Sequence, residues 1–273
     1  MAQVDQESKP KLFRTANMTE PESYRVAGGT AAILSAKCPG KETDNEDSVA
    51  VIPIDDKTAV LAVADGMGGG AAGEQASAFA VQAIKDAVRD HSPNGLVLRS
   101  AILNGFEKAN ESICKLGIGA GTTLAVVEIA DRSIRPYHVG DSLILVVGGR
   151  GKVKLQTISH SPIGYAVEAG VLDESEAIHH EDRHIVSNVL GMEKMRIEIG
   201  PTIPLALRDT LLLASDGLSD NLQLDEIILR ANKGNPSSIA TDLNTVAHQR
   251  MIEPTDGNPS KPDDLSIIVF RNV

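Results

Sequence analysis

Between Thr122 and Val147 three apolar runs follow one another with very short connections: Thr122–Ile129, Ser133–Val139 and Ser142–Val147, joined at Asp131-Arg132 and Gly140-Asp141. Runs this close leave no room for crossover helices, so they must pair antiparallel. An earlier stretch reads the same way: Arg25–Lys37, Ser48–Ile54 and Thr58–Ala64 as strands, with Asp55-Asp56-Lys57 as a hairpin turn. Helical patterns come in pairs instead of alternating with strands. Glu74–Asp90 places Ala78, Val81, Ile84, Ala87 and Val88 on one face, and after Ser92-Pro93-Asn94-Gly95 a second helix over Leu96–Leu116 carries Leu98, Ile102, Phe106, Ala109 and Ile113. Gly148-Gly149-Arg150-Gly151 turns into a strand over Lys152–Ile158, and Met195–Ile199 and the run around Leu211 add two more. A second helix pair, Leu224–Ala231 and Pro236–Met251, precedes the final strand Leu265–Phe270. Grouped helices argue against a doubly wound parallel sheet. Two antiparallel sheets packed together with helices outside satisfy the order.

Aromatic residues make up only 3% of the 273 residues and Trp is absent, so such a core must be Val, Leu, Ile and Ala. Residues 1–22 are polar and aperiodic and read as a flexible extension, leaving 23–273 as a single domain. Within it, about 159–194 is polar, rich in His and Glu, and reads as an irregular excursion over the surface. The net charge of −11 argues against a nucleic-acid partner. No apolar run approaches membrane-span length, and the first residues lack the basic and apolar regions of a signal peptide. Cys38 and Cys114 lie far apart without metal-ligand spacing, as expected of idle thiols in a reducing compartment. These features point to a cytoplasmic protein.

Four acidic motifs stand beside glycines or turns: Asn45-Glu46-Asp47, Asp65-Gly66-Met67-Gly68-Gly69, Asp216-Gly217-Leu218-Ser219-Asp220 and Asp263-Asp264-Leu265-Ser266. An Asp after a strand is often only a turn former or a helix cap. After Asp65, however, the segment to Gly73 has almost no side-chain bulk, so backbone can approach a ligand and a glycine carbonyl can coordinate a cation. Asp220 lies one helical turn beyond Asp216, which lets both face one cation; acids complementing a helix N-terminus are the alternative. Gly140-Asp141 is explained equally well by hairpin chemistry. Carboxylates that converge repel one another unless a hard cation neutralises them, and Mg²⁺ and Mn²⁺ prefer oxygen ligands.

Taken in order, these motifs, with Gly121-Thr122-Thr123 and Val139-Gly140-Asp141-Ser142, closely resemble the metal-dependent serine/threonine phosphatases of type 2C, bacterial type, over about residues 25–270. The resemblance implies an α+β fold: a four-layer αββα sandwich of two antiparallel sheets flanked by helix pairs. It implies two Mn²⁺ or Mg²⁺ ions, with Asp65 bridging them, the Gly66 carbonyl binding one, Asp47, Asp216 and Asp263 completing the set, and Glu46 as ligand or outer acceptor. Asp141 and Asp220, with Asp216, match the positions of a third, weaker ion. The implied reaction is phosphomonoester hydrolysis by a metal-held water, without a covalent phosphoenzyme, on a phosphorylated protein. The chain would act as a monomer. The same fold also accommodates a phosphatase acting on a small metabolite, or a weakened one serving as a phosphoprotein-binding module.

The chain departs from the family pattern in several places. Glu42 stands where the family carries a phosphate-gripping Arg; either Lys41 beside it, Lys37 or another cation substitutes there, or activity is reduced. Met67 follows Asp-Gly where eukaryotic members have His, Leu143 follows Gly-Asp-Ser where Arg is usual, and Asp264 stands where Asn is frequent. His179, His180 and His184 read as solvated residues of the flap covering the cleft, and His138 as a core residue; the sequence gives His160 no place.

Overall fold

The structure, a computed structural model, describes residues 9–90, 95–177 and 180–272. Chain order runs β1 (Lys11–Arg14), β2 (Glu22–Val26), β3 (Gly29–Ala36), β4 (Ser48–Pro53), β5 (Thr58–Ala64) and β6 (Gly66–Met67), then α1 (Ala71–Arg89) and α2 (Gly95–Cys114). It continues with β7 (Gly121–Thr122), β8 (Leu124–Ala130), β9 (Ser133–Val139), β10 (Leu143–Val147) and β11 (Val153–Gln156). Short α3 (Pro162–Glu168) and α4 (Glu174–Ala177) and a 3₁₀ turn (Glu181–His184) follow. β12 (Glu198–Ile199), β13 (Ile203–Pro204), β14 (Thr210–Ala214), α5 (Asp216–Ser219), α6 (Leu224–Ala231), α7 (Pro236–Ile252) and β15 (Leu265–Asn272) complete the chain.

One sheet is ordered β1-β4-β5-β8-β9-β12, with β13 also on β9; the other is ordered β11-β10-β14-β15-β3-β2. Alternation explains how they stack. Val49, Val51, Leu61, Val63 and Val127 point inward against Ile33, Val146, Leu213, Ile268 and Phe270 of the other sheet. Their neighbours Ala50, Ile52, Val60, Ala62 and Val126 point outward onto Ile84, Ile102 and Phe106 of α1 and α2. On the far side Leu34, Leu145, Leu212 and Ile267 meet Ile227, Leu243 and Ala247 of α6 and α7. Strands buried on both faces must be apolar throughout, which is why these runs do not alternate with polar residues. The result is the expected αββα sandwich. Among the described residues no helix is long and apolar enough to cross a membrane.

Three sequence expectations need correction. The strand expected over Arg25–Lys37 is a hairpin, because Ala27 (φ 48°) and Gly28 (φ 70°) form a turn with both central residues left-handed, a geometry matched to strand twist. The extension expected over residues 1–22 is partly sheet: Lys11–Arg14 pairs with Ser48–Val51, and Phe13 and Leu12 pack on opposite faces of that edge. Residues 1–8 lie outside the described part. Gly140-Asp141 is no hairpin, since β9 and β10 belong to different sheets. It is the point where the chain passes from one sheet to the other.

Candidate metal centre

Strand register brings the acids to one end of the sandwich. Ser48 pairs with Ala64, so Asp47 and Asp65 leave the first sheet together. In the second sheet Leu143 pairs with Ala214 and Ala214 with Ile267, which places Asp141, Asp216 and Asp263 at the corresponding end. Asp216, Asp220 and Asp263 offer oxygens within 4.8 Å of one another.

Each acid is held by the motif residues around it. Asp65 N donates to Thr123 Oγ1 at 3.1 Å, and its carbonyl accepts from Thr122 Oγ1 at 2.7 Å and Thr123 N at 2.9 Å. Ser215 Oγ donates to Asp47 Oδ2 at 2.7 Å and accepts from Ser266 N at 2.9 Å, so one hydroxyl ties the first acidic motif to the last. Beyond Gly66, three successive glycines (Gly68, Gly69 and Gly70) have φ of 121°, 78° and 58°. Only glycine strings such values together, and they turn the chain into α1. Gly66 is pressed between Gly73 and Glu46: an added Cβ would lie 2.2 Å from Gly73 O and 2.6 Å from Glu46 O.

Electrostatics mark the cluster as incomplete without positive charge. Burial, then the charges of Asp216, Asp47, Asp263 and Asp141, push the Asp65 carboxyl far above the ordinary range. Burial also raises Asp47, Asp216 and Asp263, with Asp264, Asp220 and Asp216 respectively adding repulsion. Asp141 is pushed up to about 7 by burial and by Asp216 and Asp220. Two buried carboxylate oxygens, Asp216 Oδ1 and Glu46 Oε1, have no hydrogen-bond partner among the described residues.

Lys41 does not stand in the open as a phosphate grip. Its Nζ lies 2.7 Å from Glu46 Oε2 and 2.5 Å from Asp264 Oδ2, and Asp264 also accepts from Cys38 N and Glu46 N at 2.8 Å each. Burial works against the ammonium, but these two acids hold its pKa above the ordinary value. Glu42 is exposed. Lys41→Met is expected to destabilise the protein by roughly 1–3 kcal/mol, because the buried Asp264 loses its counter-charge. Adding Asp264→Asn should recover part of that loss in thermal melts; a Lys41→Met protein that melts with the parent refutes the pairing.

A cavity of about 730 Å³ opens beside Asp141, Asp216 and Asp220, walled by α3, by Arg183 of the 3₁₀ turn and by Leu224 and Ile227 of α6. The flap is anchored behind it. His160 stacks on His138 at 4.4 Å between ring centres, its Nδ1 accepting from Gly140 N (3.1 Å) and Asn188 Nδ2 (2.8 Å). That places the His160 proton on Nε2, which donates to Glu198 Oε2 at 3.1 Å, while His138 Nε2 donates to Ile158 O at 3.0 Å. These nitrogens are spent on the protein itself. Burial lowers the pKa of both rings. A depressed imidazole stabilises the fold above its unfolded value and loses that contribution as pH falls, so the anchor should loosen below about pH 6.5. Amide exchange at Ser187 and Asn188, faster at pH 5.5 than at 7.5 beyond the intrinsic chemical change, would report it; unchanged protection would refute it. Of the flap histidines, His180 accepts from Asp182 N at 3.1 Å, His184 is exposed, and His179 lies outside the described residues.

The sequence does not single out Lys261. Its Nζ contacts Asp216 Oδ2 (3.0 Å), Asp220 Oδ2 (2.6 Å) and Asp263 Oδ2 (3.1 Å). No local pattern could have revealed it, since two of these partners lie more than forty positions upstream. Cys38 and Cys114 are both free thiols.

Comparison with known proteins bears on the family and the fold. The family model described as "Protein phosphatase 2C" matches residues 36–249. The chain is 30% identical to the serine/threonine phosphatase stp of Listeria innocua over 67% of its own length and 77% of the relative's. It is 33% identical to protein phosphatase PhpP of Streptococcus pneumoniae over 68% and 78% of the two chains. The structure superposes on the S. agalactiae serine/threonine phosphatase with a TM-score of 0.76, 27% identity and coverage of 89% and 99%. It superposes on the catalytic domain of the phosphatase PstP in complex with two manganese ions with a TM-score of 0.69, 26% identity and coverage of 88% and 96%. With its acidic motifs gathered at one end of an αββα sandwich, the chain belongs to the protein phosphatase 2C family.

Proposed function

We propose that this centre hydrolyses phosphoserine and phosphothreonine in proteins, using Mn²⁺ or Mg²⁺ held by Asp47, Asp65, the Gly66 carbonyl, Asp216 and Asp263, with Glu46 beside them. The carrying observation is the pair of partnerless buried oxygens, Asp216 Oδ1 and Glu46 Oε1, inside a cluster of mutually repelling carboxylates. Hard oxygen donors of this kind fit small divalent cations. When bound, such cations activate water and stabilise charge on phosphoryl oxygens.

The chain's own residues supply the geometry. Thr122 and Thr123 fix the backbone of Asp65, and Ser215 fixes the carboxylate of Asp47. Asp65, acted on by Asp47 from its own sheet and by Asp216, Asp263 and Asp141 from the other, would hold the metal together with them. The cavity beside Asp141 and Asp220 admits the phosphate ester, and Arg183 lends its wall positive charge. The names of the relatives support protein substrates. Exposure of Glu42 supports an active enzyme over a binding-only module, because solvent screens the repulsion between an exposed acid and phosphate. The same reading has the chain acting as a monomer in the cytoplasm.

The test is phosphate release from a phosphothreonine peptide and from a panel of small phosphorylated metabolites, with Mn²⁺ and with chelator. Release that requires the metal and prefers the peptide is expected. Preference for a metabolite, or no turnover of either, sinks the assignment.

A further inference from the structure

The loop between α7 and β15 places a lysine in the middle of three acids, and its backbone is built to keep it there. Asn221, fully buried, donates from Nδ2 to Lys261 O at 2.8 Å and accepts from Lys261 N at 2.9 Å. The same Nδ2 donates to Gly217 O at 2.9 Å, so one side chain staples the lysine's backbone to the turn that carries Asp216 and Asp220. The preceding residue is held as well: Ser260 Oγ donates to Arg250 O at 2.8 Å, and Ser260 O accepts from Arg183 Nη2 at 3.1 Å. From this fixed base Nζ reaches Asp216, Asp220 and Asp263 at 3.0, 2.6 and 3.1 Å. The same three carboxylates offer oxygens close enough together to hold a metal ion.

An ammonium and a divalent cation cannot occupy the same point among these carboxylates, because like charges at contact distance repel. From this geometry we infer that Lys261 is a tethered cation that occupies the Asp216–Asp220 edge of the cluster in place of a divalent ion. It neutralises that edge through Asp216 Oδ2 and leaves Asp216 Oδ1 for the remaining positions. The chain then takes two divalent ions, and the position flanked by Asp141 and Asp220 takes none. Lys261 is a positioning residue in this role. The inference rests on the metal-centre reading proposed above.

Metal stoichiometry tests it without reference to turnover. Mn²⁺ titrated calorimetrically into the full chain, with metal content checked after gel filtration, should give two ions per parent chain. Lys261→Met keeps the length of the side chain and removes its charge; it should admit one additional ion, which Lys261→Met/Asp220→Asn should lose again. Asp220→Asn alone should leave the parent at two, a control that does not depend on the lysine variant folding. Three ions in the parent, an unchanged count in a folded Lys261→Met, or loss of an ion in Asp220→Asn overturns the role of Lys261 while leaving the metal centre standing. A parent that binds no Mn²⁺ overturns both.

Discussion

Asp65→Asn should reduce Mn²⁺-dependent phosphate release by at least about 10²–10³-fold, the loss associated with removing one preorganised charge-stabilising group. The argument lies in the surroundings of this carboxylate: Asp216, Asp47, Asp263 and Asp141 all act on it. These neighbours come from both sheets. The variant also makes an opposite prediction for the protein without metal. There the Asp65 charge is a liability, so Asn should leave the metal-free protein as stable as the parent or more so. In the parent, Mn²⁺ at about 100–1,000 times its dissociation constant adds roughly 2.7–4.1 kcal/mol per site. For a chain of this size that is a rise in Tm of roughly 5–15 °C. Thermal melts of both proteins with and without Mn²⁺ check both halves. A variant that keeps the metal-dependent rise, or keeps turnover, removes Asp65 from the centre.

Gly66→Ala should cost roughly 1–3 kcal/mol or more and lower Mn²⁺ affinity with it, because the three atoms nearest the new Cβ are all backbone. They are Gly73 O at 2.2 Å, Gly73 C at 2.5 Å and Glu46 O at 2.6 Å. None can rotate away. Either the start of α1 or the acidic loop must shift, and both carry parts of the centre. Gly69 provides the comparison: it has φ 78° but nothing within 4 Å of its Cβ position. Gly69→Ala therefore meets only left-handed backbone strain, about 1–2 kcal/mol, and should spare metal affinity. If calorimetry finds the two variants equal in affinity and stability, the cradle around Gly66 does not exist as described.

Much of the fold was legible because both faces of the central strands are buried. Continuous apolar runs such as Ala59–Ala64 and Leu211–Ala214 announced themselves, and the periodicity of α1 and α2 did the same. The errors arose where partners are remote. Lys11–Arg14 is too short and too polar at its ends to read as a strand, and only pairing with β4 makes it one. Ala27-Gly28 gave little turn signal, since Ala seldom adopts a left-handed φ. Gly140-Asp141 fits a hairpin by local chemistry, and nothing nearby tells that the next strand joins the other sheet.

The site divides the same way. The sequence by itself determined which acids are available and that glycines accompany them, because ligand type and backbone freedom are properties of single residues. Order and spacing were enough to identify the family. Only the tertiary structure decided how the charges are balanced. Lys41, expected at the substrate phosphate, is bound to Glu46 and Asp264, and Lys261, passed over, lies among Asp216, Asp220 and Asp263. A lysine side chain spans several ångströms on a flexible stem, so its partner is chosen by whichever carboxylates the fold brings within reach. Strand register across two sheets makes that choice, and register is a property of the folded chain.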